Sequence, residues 1–540
     1  MPYANLALVN GRIHTLDGND RVVACLAAHD GRIVALGARS EVDHAIGAGT
    51  RIVDLGGQAA IPGIVDSHCH PDSYAIRLNK WCDLGPLVVT SRETLLQAIR
   101  SGVRRLKPGQ WFIGYRFNER RSGGYPALAE LDAAGEGHPV FILRTDAHLG
   151  LANSAAMAAC DIGPDTPDPP FGRFDRLAGS GALTGLVRET AAHVFLSRIH
   201  ETDTEEEIAA GLDRVFDEAL SYGITSLYNS LTPSKAIRAY QRMKRTGRLR
   251  MRIGVMASGR EPGLVEAMIA AGIQSGFGDD TLRIIGVEWC PDCSTSGRTA
   301  AYYEPYVGAR VDGEPDNNCG MLLYAADDLK ARALAAHQAG LQIMIEGIGD
   351  RGIDFALDAI EAALAARPAV DHRMRVEHCC HVTPKILTRL KHLGVVASSA
   401  TGFMYELGDA YVANRGQAAM RYMWPHRTLI DAGVPAPGHS DSAVCTANPW
   451  TAMWAMVNRR SATGTSLDIF EAVTPLEALR AYTTLGAWSG FEEKSKGSLE
   501  PGKLADVAVL TRDPLGIDPD GICSVRSMMT FVGGVERFRA

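Results

Sequence analysis

The chain has 540 residues, 46% of them hydrophobic and 22% charged, the balance of a soluble globular protein long enough for two to four domains or for one large barrel with additions. Its 55 basic and 62 acidic residues give a formal net charge of −7, so no basic footprint for nucleic acid or an anionic membrane exists, and no apolar run approaches the ~20 residues of a bilayer span. Eleven scattered cysteines, an odd number, and a start without a charged segment ahead of an apolar core fit a reducing cytoplasm better than a disulfide framework or a secretory signal.

The first sixty residues are short alternating runs broken by Gly, Asn and Asp, such as "ANLALVNGRIHTL" and "RIVDLGGQAAIPG". They predict antiparallel strands and turns. The last forty or so, "GSLEPGKLADVAVLTRD" and "VRSMMTFVGGVERF", read the same way. Residues 1–60 with 491–540 are therefore expected to form one small β-sandwich built from both termini. The middle changes rhythm. Apolar runs at 61–66, 223–230, 251–258, 282–290, 341–347, 372–379, 394–400 and 434–441 alternate with amphipathic stretches such as "EEEIAAGLDRVFDEALSYG" and "AADDLKARALAAHQAG", each closed by a Gly. Eight strands alternating with helices predict an α/β protein with a (β/α)8 TIM-like barrel over 61–74 and 201–490. Between the first two strands lie roughly 155 residues, too many for one βα connection. They include the strand-like runs "WFIGYRF" and "PVFILRTDAH", and 75–200 is expected to be an inserted α/β subdomain over the barrel mouth.

The residues at the strand ends carry the chemistry. The first strand runs into "DSHCHPD". In extended chain, residues two apart face one side, so His68 and His70 can reach one metal ion. The fourth strand ends at Glu288, the fifth at Glu346, the sixth at His378 and the eighth at Asp441. In a (β/α)8 barrel these ends converge on one mouth. Imidazole and carboxylate are suitable donors for zinc, manganese or iron. "CPDC" at 290–293 has the spacing of a zinc knuckle but no second pair, and reads as ordinary thiols.

"IPGIVDSHCHPD" resembles the first-strand signature of the amidohydrolase superfamily. The chain is similar, more narrowly, to amidohydrolase family 3, the branch with the N-substituted formamide deformylases. "DAHLGLANSAAM", "GRTAAYYEPYVG", "GIGDRGIDFALDAIE", "RVEHC", "HSDSAV", "NPWTAM" and "GSLEPGKLADVAVL" resemble its blocks in the same order. The resemblance implies a metal-bearing barrel with one or two divalent ions, zinc first and manganese or iron as alternatives. It also implies that Asp441 touches the metal and takes a proton from the attacking water, and that His148 reaches in from the insertion to polarise a carbonyl or bind substrate. Two positions depart from the family pattern. Glu288 stands where a lysine, often carboxylated, bridges two metals, and a glutamate offers the same kind of bidentate oxygen donor. Glu346 stands where a histidine usually precedes "GIGD". It is a metal ligand, an acid/base group released by loss of a second metal, or a partner of Arg351 or Arg375.

These readings predict a cytoplasmic metal-dependent hydrolase of a non-peptide C–N bond, in an amide, formamide or cyclic amide. The expected metal set is His68, His70, Glu288, Glu346, His378 and Asp441; the expected catalytic groups are Asp441, Glu346 and His148. Arg298 would hold a substrate oxygen or anion, and Trp81, Tyr115, Tyr302 and Phe403 would line a pocket for an apolar or aromatic small molecule. The alternatives are a lyase, decarboxylase or C–C-cleaving enzyme using Glu346 as acid/base, and a barrel that has lost turnover and only binds. A homodimer is expected on base rate.

Overall fold

A computed structural model describes residues 3–310 and 314–540. At its centre is a seven-stranded sheet: β1 (Ile64–Cys69), β2 (Ile224–Thr232), β3 (Arg252–Ser258), β4 (Leu282–Trp289), β5 (Ile343–Gly347), β6 (Arg375–His378) and β7 (Val396–Ala397). The strands lie side by side in chain order, and every pair is parallel. β1, β3, β5 and β6 are buried along their whole length, which is why they read as near-continuous apolar runs rather than as alternations.

The expected first strand is two strands. Ala59–Pro62 joins a sheet of the chain ends, and β1 starts at Ile64. Gly63 sits at the break, where a Cβ would lie 2.2 Å from Thr225 Oγ1. No named strand forms at 434–441. Pro435 and Pro437 lack the N–H groups that a regular ladder needs. Their carbonyls still accept, from Ala397 N at 2.9 Å and Ser399 N at 2.8 Å. Ser399 and Gly438 form a parallel bridge, and Asp441 N donates to His68 O at 3.1 Å. One irregular stretch thus touches both edges of the sheet, which is curled and consistent with a TIM-like barrel.

Helices follow the strands where the sequence has both a cap and an apolar stripe. In Glu205–Ser221 the Thr204 hydroxyl accepts from Glu207 N while the Glu207 carboxylate accepts from Thr204 N, a reciprocal cap. Ile208, Leu212, Val215, Phe216 and Ala219 make its buried face. Gly223 at φ +88° ends the turn. Burial of Phe216 alone contributes about 1.5–3 kcal/mol.

The 82–189 region holds its own six-stranded sheet, in the order Gly172–Arg176, Leu183–Glu189, Leu149–Ala152, Val140–Arg144, Phe112–Phe117, Cys82–Asp83. Strand alternation lets it serve two cores. Val140 and Ile142 pack with Phe112, Phe117, Leu95 and Ile99, while Phe141 and Leu143 face the main core. The chain ends make two further sheets. The four-stranded one comes from residues 6–54, and the six-stranded one joins Arg12–His14, Val22–Val23 and Ala59–Pro62 to Val507–Leu510, Ser527–Val532 and Val535–Arg539. Leu8, Ile13, Leu26, Val507 and Phe531 from both share one apolar cluster. All eleven cysteines are free thiols, and among the described residues no helix is long and apolar enough to cross a membrane.

Candidate metal centre and active site

The C-terminal ends of the parallel strands meet around His68. Its Nδ1–H donates to Glu377 Oε2 at 3.0 Å, which leaves Nε2 facing Asp441 Oδ1 at 3.5 Å. His70 Nε2 is 3.1 Å from the same Asp441 oxygen, and Glu288 Oε1 lies 3.5 Å from His68 Nδ1. Glu346 Oε2 lies 3.6 Å from His378 Nε2. The His68 and His378 rings are 4.7 Å apart, centroid to centroid. The six expected metal residues thus form one connected group, in which His68, His70 and Asp441, and again His68, Glu346 and His378, bring ligand atoms within 4.8 Å of one another.

Backbone strain helps to gather them. His378 has φ +66° and Asp441 φ +55°, rare for such side chains and common at functional sites. On a regular strand Glu377 and His378 would point to opposite faces. The left-handed turn at His378 lets both face His68.

Buried polar atoms here lack partners. Among the described residues, His68 Nε2, His378 Nδ1, both ring nitrogens of His439, Glu288 Oε1 and Asp441 Oδ1 make no hydrogen bond, though Asp441 Oδ1 lies 3.1 Å from His70 Nε2. Such atoms are costly in a folded interior. Imidazole nitrogens and carboxylate oxygens are the donors that zinc, manganese or iron takes, so this set fits a divalent cation. Charge supports the same arrangement. Burial works to raise the Asp441 carboxyl, yet the field of His378 and the contacts with His68 and His70 hold it well below the usual range. Burial likewise opposes ionisation of Glu346, and His378, Arg260 and His68 outweigh it, bringing the carboxyl to about 2. Burial, with Glu346 and Glu377 nearby, raises Glu288. Arg351 donates to the Cys319 and Gly320 carbonyls, and Arg375 binds Glu377 at 2.6 and 2.8 Å. Neither pairs with Glu346, whose side chain faces His378 instead.

Two members of this centre escape sequence reading. His439 stacks on His68 at 4.7 Å. Burial and the charges of His68 and His378 push its pKa well down, which keeps it a neutral donor. It precedes Asp441 by two residues, the same alternation that singles out His68 and His70, and that signal was legible. Glu377 was not, because it adjoins His378 and only the turn at His378 puts both on one side. It is fully buried, clamped by Arg375, and fixes the His68 ring. A metal-bound imidazole commonly has such a carboxylate behind it.

Above the centre opens a cavity of about 740 Å³. His70, Glu346, His378 and Asp441 form its floor, with Trp81, His148 and Phe403 in its wall. Phe403 stacks on His378 at 5.5 Å, and Trp81 stacks on His200 at 5.7 Å. His148 Nδ1–H donates to Glu189 Oε2 at 2.8 Å. Burial lowers its pKa, but Glu189 and Asp146 raise it further, to about 9. His148, Glu189 and Cys293 form a further group of close ligand atoms. Glu189, unnoticed in the sequence, sits at φ +53° where a strand turns into the helix Thr190–His200.

Tyr115, Tyr302 and Arg298 do not line this cavity. Tyr115 packs behind Trp81 at 6.4 Å. Tyr302 is fully buried, with its hydroxyl 2.7 Å from Thr295 Oγ1 and the Arg415 guanidinium over its ring. Arg298 binds Glu314 at 2.8 Å and the Val307 carbonyl at 2.7 Å. Its charge and donors are engaged by the protein.

The amidohydrolase family model matches residues 51–538. The N-substituted formamide deformylase of Arthrobacter pascens is 28% identical to this chain over 99% of it and 98% of its own length. An uncharacterized metal-dependent hydrolase from Pyrococcus horikoshii OT3 is 27% identical and superposes with a TM-score of 0.77, covering 95% of this chain and 99% of that one. The zinc complex of atrazine chlorohydrolase TrzN from Arthrobacter aurescens TC1 superposes with a TM-score of 0.54 over 99% of this chain and 95% of its own, at 14% identity, a likeness of fold alone.

Proposed function

We propose a reaction from one premise: the chain belongs to the amidohydrolase family and is a metal-dependent hydrolase. The substrate is a small molecule, and the bond cut is a C–N bond outside peptides, in an amide, formamide or cyclic amide. The observation that carries this reading is the set of unpartnered imidazole and carboxylate atoms from separate strand ends beneath one cavity. The deformylase name of a full-length relative supports an acyl C–N bond.

His68, His70, Glu288 and Asp441 would hold a divalent cation, with His378, Glu346 and His439 beside them. A cation there supplies Lewis acidity, which lowers the pKa of water and polarises a carbonyl. Asp441 is ionised and aimed at the floor, so it accepts the proton of the attacking water and returns it to the leaving nitrogen. Glu377 orients His68 through Nδ1, and Glu346 stays anionic against His378. His148, protonated against Glu189, offers Nε2–H to a substrate oxygen from the wall. Imidazole donors suit zinc. The carboxylates at 288 and 346, in the family's lysine and histidine places, add negative charge and shift preference toward manganese or iron. Within this reading residues 1–60 and 491–540 are a sandwich, 61–74 and 201–490 an eight-staved barrel completed by 434–441, and 75–200 the cover of its mouth. The lyase and binding-only readings have no observation in their favour.

Stripping divalent ions with a chelator abolishes turnover of aryl amides, formamides or hydantoins, and adding back one ion restores it. Full turnover by metal-free protein overturns the proposal.

A further inference from the structure

Most buried guanidinium groups of this chain meet carboxylates. Arg144 binds Glu119 and Asp146, Arg188 binds Asp175, Arg252 binds Asp506, and Arg375 binds Glu377. Arg459 instead spends its donors on backbone carbonyls. Arg260, exposed to the cavity rather than buried, does neither. It follows β3 and lies in the cavity wall, where water reaches its side chain although protein surrounds it. A guanidinium has five N–H donors, and among the described residues a single side-chain hydrogen bond, Nη2 to Cys290 Sγ, uses one of them. Five less one leaves four, and no carboxylate of the described residues lies within 4.0 Å.

Arg260 shares this wall with two imidazoles. His148, reaching in from the insertion, and His193, from the helix Thr190–His200, line the same cavity. Burial lowers the His193 pKa to about 3, and the charges of Arg260 and His148 add to that effect, so the three groups are close enough to feel one another. Cys290, which contacts Arg260, lines the floor with Glu346, so Arg260 stands beside the metal centre. The acids of this wall have nearer partners, Glu189 in His148, Asp146 in Arg144, Glu346 in His378 and Glu261 in the Ser234 N–H, while the charges of Glu346 and Glu189 help to keep the guanidinium protonated.

We propose that Arg260, with His148 beside it, is a carboxylate-binding subsite, and that the substrates are N-acyl amino acids, N-formyl ones included, rather than neutral amides. This rests on the hydrolase reading above and narrows it. A guanidinium with a free edge binds a carboxylate in a paired, planar geometry. Its place next to the floor sets that carboxylate a few bonds from the carbonyl under attack, as in an N-acyl amino acid. Trp81 and Phe403 are left for an apolar side chain. Arg77, the other cavity guanidinium without a carboxylate partner among the described residues, lies 5.6 Å over the Trp81 ring and has that face as its partner, with its Nε buried and unbonded.

The test compares kcat/KM for racemic N-formylphenylalanine with that for N-phenethylformamide, the same skeleton without the carboxylate. Wild-type enzyme is expected to prefer the acid by on the order of 100-fold. Arg260→Met lowers that ratio at least about tenfold, chiefly through KM, Arg260→Lys keeps part of it, and Arg77→Met leaves it near the wild-type value. A wild-type ratio near or below one, a ratio unchanged by Arg260→Met, or a ratio lost through Arg77→Met instead overturns the subsite. The wild-type ratio decides by itself if Arg260→Met does not fold. Cleavage of the neutral formamide alone overturns this inference and leaves the hydrolase reading standing. Absence of cleavage, with calorimetric binding of the acid that disappears in Arg260→Met, overturns the hydrolase reading and supports the subsite. An acid that is neither cleaved nor bound overturns the subsite.

Discussion

The two ends of the parallel strands are built from the same residue types and differ in how those residues are matched. At the entry ends charges close on one another. Arg252, first in β3, binds Asp506 at 2.5 and 2.8 Å, and Arg373, just before β6, binds Asp371 and Glu493 at 2.8–3.0 Å. At the exit ends His68 Nε2, Glu288 Oε1, His378 Nδ1 and Asp441 Oδ1 have no hydrogen-bond partner among the described residues. Matched buried charge holds a domain interface together, whereas unmatched buried donors and acceptors are kept only where something else uses them. One strand therefore serves stability at one end and chemistry at the other, as in barrel enzymes generally.

The largest expected effect breaks the exit end. Asp441→Asn lowers kcat/KM by about 10³–10⁴-fold while the melting temperature of the metal-free protein holds or rises; a tenfold loss or less removes Asp441 from the proton path. Next is the entry end, where Arg252→Ala strands Asp506 and costs about 3–5 kcal/mol in chemical denaturation. Turnover per folded molecule stays at the wild-type value, and a loss of turnover there would dissolve the division between the ends. Glu346→Gln sharpens the comparison within the exit end. It lowers metal affinity about 10–100-fold, read by metal analysis after dialysis, and retained metal with lost turnover would make Glu346 an acid/base instead.

The smallest effect concerns the wall. His148 has its pKa raised to about 9 against an ordinary 6.5. A raised histidine pKa means that the folded state holds the proton more tightly, so this stability is complete below pH 6.5 and is lost as pH rises through 9. The gap in melting temperature between wild type and Glu189→Gln is therefore widest near pH 6 and closes by pH 10. It is worth about 1–2 kcal/mol for a ring that keeps 17% of its side-chain surface exposed. A gap that does not change with pH would detach Glu189 from the protonation of His148.

Much of the architecture was legible because buried parallel strands leave apolar runs and their helices carry caps. Seven of the eight runs between 61 and 441 contain strands of the central sheet. The eighth failed as a strand for a reason printed in it, the prolines of "VPAPGHSD". Part of the candidate site was legible too, since a histidine or acid ends each of several strands that meet there. Pocket residues were the least readable. Aromatic side chains look alike in sequence whether they face a cavity, as Trp81 and Phe403 do, or pack behind it, as Tyr115 and Tyr302 do.

From its residues alone this chain determined the alternating strand and helix rhythm, the long insertion after the first barrel strand, the amidohydrolase family, and the residue types at the strand ends. Periodicity and local spacing are properties of neighbours along the chain, and they survive without a fold. Only the tertiary structure decided that Arg298 is tied to Glu314 while Arg260 keeps its donors, that a left-handed turn at His378 brings Glu377 to His68, and that Glu189 stands behind His148. Each of those depends on which distant side chain occupies the space beside it, and that is set by packing.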